Sequence, residues 1–312
     1  VSDLRVIVII PAYNAERTLA RAIDSALAQT EPAWEVLVVN DGSRDATADV
    51  ASRYPAPVRL IDKPNGGAAS ARNAGLDAAR GELVAFLDAD DYWEPDKLKR
   101  QCELFRRWPD LVLAAGAYYS QEPGADRAPS RLPASIATNE RLNLSGGAAL
   151  RFAMHAWTGV VVARRDAIGE DRFVSGLEPA EDRDFWFRLT LKGPVCFHAE
   201  PLATAVLEPS SLSRSNVARD CGNMLRVIDK NRDALPGWVR AKWSSHTRYR
   251  WAACDPDLAA AWRQFGRSLW AWPFPYARHD VTMPFARPRL FARLVRQTLM
   301  GRPVGVSQGA AS

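Results

Sequence analysis

Short apolar runs alternate with stretches of helical spacing through roughly the first two hundred residues. Residues 6–10, Val-Ile-Val-Ile-Ile, form a run with no polar interruption, the pattern of a strand buried on both faces of a parallel sheet. Pro11, Ala12, Tyr13 and Asn14 end that strand in a turn. Leu19, Ile23 and Leu27 then recur at helical spacing, predicting a helix over 16–29 that lays these three on the sheet. Residues 36–39 are a second apolar strand, stopped by Asn40, Asp41, Gly42 and Ser43. Strand, helix and strand joined by tight polar turns make a βαβ unit, whose crossover is right-handed. The pattern continues with a helix over 45–54 that Ser43 could cap, a strand over 58–61, a small-residue helix over 68–79, a strand over 83–87 and a helix over 98–108. Further strands are predicted over 111–115, 157–162 and near 201–213. A helix opening near Asp182 places Phe185, Leu189 and Leu191 on its buried side. These elements predict an α/β protein with a mostly parallel, Rossmann-like sheet flanked by helices.

The chemistry-bearing residues collect where strands end. After the apolar run 83–87 come Asp88, Ala89, Asp90 and Asp91, and ligands of open α/β sheets bind at the carboxyl ends of strands. An Asp-x-Asp on extended chain sets two carboxylates on one side, a pair of hard oxygen ligands suited to Mg²⁺ or Mn²⁺ carrying a diphosphate. By itself such a run is better explained as an acidic loop capping the next helix, with Asp91 or Asp96 at its N-terminus and Pro95 in its first turn. Asp41 stands at another strand end, where its carboxylate can accept from a nucleotide base or from its own turn. Asn65, Gly66 and Gly67 precede the small-residue helix, and two adjacent glycines free the backbone to approach a ligand while Lys63 and Arg72 could face phosphate oxygens. Glu181 and Asp182, at the start of a helix, are explained equally by favourable placement at a helix N-terminus.

Four segments taken in order carry a resemblance. Residues 8–14 (Val-Ile-Ile-Pro-Ala-Tyr-Asn), 38–43 (Val-Val-Asn-Asp-Gly-Ser), Asn65-Gly66-Gly67 with Ala71-Arg72-Asn73, and 86–91 (Phe-Leu-Asp-Ala-Asp-Asp) resemble the family 2 glycosyltransferases of GT-A fold. The resemblance covers roughly residues 4–213. It implies an inverting transfer of a sugar from a nucleoside diphosphate sugar to a hydroxyl of a glycan, lipid-linked or other cell-surface glycoconjugate acceptor. It implies that Pro11, Ala12, Tyr13, Asn14, Asp41, Asn65, Gly66, Gly67, Arg72, Asp88, Ala89 and Asp90 hold the nucleotide sugar, that Asp90 and Asp88 hold Mg²⁺ or Mn²⁺, and that Asp182 is the general base. The chain departs from the family at Ala205, Val206 and Glu208, where many members carry Tyr-Arg-x-His. That departure keeps open an alternative, a non-catalytic nucleotide-sugar-binding or assembly subunit. A processive polysaccharide synthase is disfavoured, because neither a membrane span nor Gln-x-x-Arg-Trp is found. A nucleotidyltransferase would want a glycine-rich basic loop after the first strand.

With 47% hydrophobic and 25% charged residues, the 312-residue chain suits a large α/β domain plus an appendage. We expect a catalytic domain over 1–215, a helical region over 216–302 and a disordered tail over 303–312. No export signal or spanning segment is recognisable, and the scattered Cys102, Cys196, Cys221 and Cys254 read as reduced thiols, so a cytoplasmic location is expected. Residues 121–145 read as a long loop with acceptor contacts. The net charge of +5 conceals an asymmetry, since 221–312 holds 15 Lys and Arg against 5 Asp and Glu. Helices are expected near 216–233, 238–253, 256–271 and 286–299, with Trp238, Trp243, Trp251, Trp262, Trp270 and Trp272 packing them together. In the last, Leu290, Phe291, Leu294, Val295, Thr298 and Leu299 oppose Arg289, Arg293 and Arg296. Such a helix either docks with a solvated arginine face, the favoured expectation, or makes peripheral contact with the inner face of an anionic membrane. No nucleic-acid recognition motif accompanies the basic residues, and nucleic acid is not expected as a partner.

Overall fold

In a computed structural model the described residues are 4–130, 132–133, 135–207, 216–274, 276 and 286–300. Val6–Ala12 (β1) lies at the centre of a parallel group, flanked by Glu35–Asn40 (β2) on one side and Leu83–Phe86 (β4) on the other, with Val58–Asp62 (β3) outside β2. The uninterrupted apolar sequences of β1, β2 and β4 are explained by this position, because nearly all their side chains are buried. The connecting helices are Leu19–Leu27 (α1), Thr47–Ser52 (α2) and Ala68–Ala78 (α3). The chain runs outward from β1 through β2 to β3 and then returns to β1's other side at β4. That reversal is a topological switch point, and the carboxyl ends of the strands beside it are the usual ligand position in such sheets.

Beyond β4 the sheet becomes mixed. Val162–Arg164 (β8) is antiparallel to β4, Leu113–Gln121 (β6) is antiparallel to β8, and Val195–Val206 (β9) is parallel to β6. Tyr92–Trp93 (β5) pairs with β9, and Ala128–Pro129 (β7) pairs with β6. Lys97–Arg107 (α4), Gly146–His155 (α5), Arg165–Ile168 (α6) and Glu181–Thr190 (α7) complete this part of the chain. The core is apolar and continuous, joining β1, β2 and β4 to α1, α4 and β9.

Several expectations are corrected. The run 157–162 is not one strand, since Thr158–Val160 turns as a 3₁₀ helix and only then does β8 begin. The loop 121–145 contains β7, and α5, which follows it, was not anticipated. Leu27 and Leu191 are about two-fifths exposed, while Phe185, Trp186, Phe187 and Leu189 are all fully buried, so α7 is covered on more than one face.

Residues group into two compact units, 1–132 with 136–208, and 133–135 with 209–312. The second unit holds Val217–Lys230 (α8), Gly237–Cys254 (α9), Leu258–Ala271 (α10) and Ala286–Met300 (α11). Helices α9 and α10 form an antiparallel pair joined by reciprocal serine bonds: Ser245 Oγ donates to Ser268 O at 2.7 Å and Ser268 Oγ to Ser245 O at 2.9 Å. Buried Arg287 of α11 ties into them, donating to Ser268 O at 3.2 Å and to Tyr276 Oη at 2.8 Å. Trp270 and Trp238 do not pack as expected, being 91% and 60% exposed. The anticipated tail 303–312 and Glu208 lie outside the described residues.

Candidate active site

At the end of β2, the Asp41 carboxylate is buried and surrounded by donors from its own chain. Gly66 N–H reaches it at 3.0 Å, Gly67 N–H at 2.7 Å, and the Lys63 ammonium pairs with Oδ1. Asn65 Nδ2 donates to the Asp41 carbonyl at 3.0 Å. The Asn65-Gly66-Gly67 loop thus folds over Asp41, and a Cβ added at Gly42 would stand 2.7 Å from the Asn65 nitrogen. Gly67 adopts φ +85°, a conformation L side chains rarely take. Lys63 therefore faces a carboxylate in place of the expected phosphate.

The neighbouring end of β1 is laced to the same turn. Asp41 N–H donates to Ala12 O at 2.8 Å, Asn14 N–H to Ser43 Oγ at 2.9 Å, and Arg44 N–H to Asn14 Oδ1 at 2.9 Å. Asn14 has φ 50°, which asparagine tolerates better than most residues. Ser43 is thereby committed to Asn14, and the start of α2 is served by Asp45, whose carboxylate accepts Thr47 N–H at 3.0 Å. Tyr13, half exposed, presents its ring outward beside this lacing.

At the end of β4 the backbone turns, with Asp91 N–H bonded to Asp88 O at 3.1 Å, so the alternation of an extended chain does not orient Asp88 and Asp90. Asp88 Oδ1 accepts from Arg72 at 2.8 Å, and its other oxygen is uncommitted among the described residues. Asp91 is buried and accepts Val206 N–H at 2.7 Å, so it anchors β9 and does not cap α4. Burial, and then the negative charges of Asp90 and Asp88, push the Asp91 carboxyl well above its ordinary range. Asp96 makes no capping bond either and pairs with Arg100. Arg21, whose guanidinium donates to the Asp90 carbonyl, stacks on Tyr92 with 5.0 Å to the ring centroid.

Arg72 is the junction of the site. It is 6% exposed and donates to Asp88 through one nitrogen and to Glu181 Oε1 at 2.7 Å through another. Burial works against its charge, but Asp88 and Glu181 outweigh this and raise its pKa. Its planar fork matches the two carboxylates, Asp88 and Glu181. Glu181 leads α7, and burial holds its carboxyl above the ordinary range while Arg72 pulls it down and Asp182 pushes it up.

Asp182 follows, partly exposed, in the first turn of α7. Its Oδ2 accepts the Thr158 hydroxyl at 3.0 Å and its Oδ1 accepts Arg183 N–H at 2.7 Å. Trp186 Nε1 lies 3.4 Å from Thr158 Oγ1, one turn beyond Asp182, and helps fix the hydroxyl. Aromatic packing sets this helix against the strand end: Phe86 meets Trp186 at 5.3 Å and Phe173 at 5.7 Å between centroids, and Phe173 stacks on Phe185 at 4.1 Å. Thr158 and Arg21 gave no sequence signal, whereas the carboxylate that binds β9 was already visible in the Asp-Asp pair at 90–91.

Among the described residues no three His, Cys, Asp or Glu side chains are arranged to enclose a metal. Asp88 and Asp90 nevertheless fit a hard divalent ion in their donor chemistry, with one Asp88 oxygen uncommitted and mutually repelling carboxylates crowded at one strand end. Such an ion would draw its remaining ligands from water and a diphosphate.

Residues 7–161 match the family described as Glycosyl transferase family 2. An uncharacterized glycosyltransferase of Rickettsia felis is 33% identical over 221 residues, covering 69% of this chain and 36% of that protein. The putative teichuronic acid biosynthesis glycosyltransferase TuaG of Bacillus subtilis is 43% identical over 100 residues, 31% of this chain and 40% of TuaG. The matched stretch spans about a third of the Rickettsia felis relative and 27% of one from Rickettsia bellii. Among solved structures, S. aureus TarS 1–349 in complex with UDP-GlcNAc aligns with TM-score 0.68 at 18% identity, covering 96% of this chain and 93% of that one. The mannosyltransferase PcManGT from Pyrobaculum calidifontis, in complex with GDP-Man and Mn²⁺, aligns with TM-score 0.57 at 16% identity, covering 96% and 88%. At these identities the likeness is one of fold, and it extends to the mixed, mostly parallel sheet with its helical extension.

Proposed function

Since the chain belongs to the family 2 glycosyltransferases and has their GT-A fold, we propose that it transfers a sugar from a nucleoside diphosphate sugar to a hydroxyl of a glycan, lipid-linked or other cell-surface glycoconjugate acceptor, with inversion. The observation that carries this reading is the Arg72 bridge, which joins the carboxylates after β4 to the helix bearing Asp182. The solved relatives bound to UDP-GlcNAc and GDP-Man support a nucleotide-sugar donor, and TuaG supports a role in making a cell-surface glycan.

In this reading the nucleotide lies across the ends of β1 and β2. Asp41 shapes the Asn65-Gly66-Gly67 loop by holding its N–H groups, Tyr13 offers an exposed ring face to the base, and Pro11, Ala12 and Asn14 line the turn. Asp88, Ala89 and Asp90 face the diphosphate. Bound Mg²⁺ or Mn²⁺, held by Asp90 and Asp88, would act as a Lewis acid that offsets the leaving diphosphate's charge. Asp182, oriented by Thr158, takes the proton of the acceptor hydroxyl. The acceptor oxygen then bonds to the anomeric carbon as that carbon's bond to the diphosphate oxygen breaks. The nucleoside diphosphate departs with the electron pair from the opposite face. Peripheral contact with the inner face of a membrane belongs to the same reading, and α11 is only partly available for it, with Phe291 and Leu299 exposed. Leu290 and Leu294 are buried, and Arg293 donates to Ala253 O at 2.7 Å.

The departure at Ala205 and Val206 favours a second reading, a nucleotide-sugar-binding subunit without catalysis. Release of nucleoside diphosphate from a panel of UDP-, GDP-, dTDP- and CDP-sugars, with Mn²⁺ or EDTA and a pool of cell-surface glycan acceptors, separates the two. Turnover of one donor that EDTA abolishes supports transfer. Binding of a donor with no release above the buffer rate would leave the second reading.

A further inference from the structure

The face of the second unit formed by α9 and α10 has a composition unlike the rest of the protein. The two helices contain no Asp or Glu, while α9 carries Arg240, Lys242, Arg248 and Arg250, and α10 carries Arg263 and Arg267. Between them lies a groove of about 630 Å³ whose walls include Arg240, Arg248, Arg267 and Trp270. Among the described residues none of these three arginines meets a carboxylate. Arg240 Nε is buried without a hydrogen-bond partner, and Arg248 contacts only the neutral Gln264, at 3.0 Å. Burial, and then the charge of Arg267, lower the Arg248 pKa, as expected where cations crowd without a counter-charge. The groove stays open on the α10 side, for a Cβ added at Gly266 would meet nothing within 4 Å.

Its apolar end is equally distinctive. The bonds from Ser245 to Ser268 and from Arg248 to Gln264 run antiparallel, so the start of α9 and the end of α10 share one end of the pair. At that end Trp238 is 60%, Phe274 61% and Trp270 91% exposed, with Leu269 also exposed. Uncompensated arginines beside outward-facing tryptophans match the headgroup region of a lipid bilayer. Phosphates accept from guanidinium groups there, and indole rings sit where one side is apolar and the other wet.

We propose that this groove is a phosphate-headgroup site that seats the protein on an anionic phospholipid surface, with Trp238 and Trp270 entering the interface. It rests on the peripheral-membrane part of the reading above and gives that contact a location. Phospholipid is favoured over a soluble anionic glycan because Leu269 and Phe274 extend the exposed patch with hydrocarbon that has no sugar or phosphate to meet.

The test is co-sedimentation of the full chain with vesicles of phosphatidylcholine alone or with 30% phosphatidylglycerol. Each cation near an anionic surface is worth about fivefold in partitioning, so the mixed vesicles should bind at least tenfold more protein at low salt. Arg240→Gln with Arg267→Glu should remove most of that gain, Trp270→Ser should weaken it severalfold, and Arg289→Glu with Arg296→Glu on α11 should leave it nearly intact. Circular dichroism and nucleoside diphosphate titration on each variant verify folding and keep failure here distinct from failure of the glycosyltransferase reading. The proposal is overturned if the groove variants sediment like the parent or if the α11 variant loses binding equally. It is also overturned if inorganic phosphate binds while vesicles do not, or if the patch proves to join two copies, with Trp270→Ser dissociating a dimer that ignores vesicles.

Discussion

Thr158 decides how Asp182 can work. Its hydroxyl donates to one carboxylate oxygen, the Arg183 N–H takes the other, and together they hold the group in one orientation at the start of α7. Asp182→Asn keeps the shape but cannot accept a proton, so kcat should fall by about 10²–10⁴ while nucleotide affinity stays within a few-fold, measured by donor turnover and titration. Equal loss of both would contradict the base assignment. Arg72 makes a different prediction. Arg72→Ala strands Glu181 and Asp88, one of them buried, and should lower unfolding free energy by about 3–5 kcal/mol in urea denaturation, a larger effect than any exposed arginine would give. Lys97 is buried over the Trp93 ring, its Nζ without a hydrogen-bond partner, and burial brings its pKa down to about 7. Above pH 7 the folded protein holds this lysine neutral while the unfolded chain still binds the proton up to about 10.5, so stability should rise across that window. Lys97→Met should flatten the rise, and an unchanged slope would place the ammonium in contact with water.

At the scale of elements, much of the fold was legible because burial on both faces leaves a simple mark. The apolar runs of β1, β2 and β4, the spacing of α1 and the small residues of α3 identified the parallel half and the strand ends that carry Asp41 and Asp88. The antiparallel half was harder. Trp157 to Val162 reads as a strand by composition, yet Thr158–Val160 turns to deliver one hydroxyl to Asp182, a tertiary demand that local propensity does not reveal. That Arg72 pairs with Glu181 was not legible, because the two lie 109 residues apart in the chain. The exposed Trp238 and Trp270 were expected to pack, since sequence does not say which face of a helix finds a neighbour. Contact between α3 and β1 is tight enough to test. A Cβ at Gly75 would stand 2.5 Å from Ile9 Cγ2, so Gly75→Ala should destabilise by about 1–3 kcal/mol despite its better helix propensity. Wild-type stability in that variant would mean that helix and strand are farther apart.

At the scale of the whole molecule, charge is divided unevenly between the two units. The first unit concentrates carboxylates at the ends of its parallel strands, where a divalent cation would offset both them and a diphosphate, and the second carries the excess of arginine. No described helix is long and apolar enough to cross a membrane. We propose that the ends of β1, β2 and β4 form a metal-assisted nucleotide-sugar site. Its most direct measurement is calorimetric titration of the protein and of Asp90→Ala with UDP, GDP, dTDP and CDP, each with Mn²⁺ and with EDTA. One nucleotide should bind well, EDTA should weaken it at least tenfold, and Asp90→Ala with Mn²⁺ should resemble the parent in EDTA. Failure of all four to bind, or binding indifferent to both metal and Asp90, would contradict it.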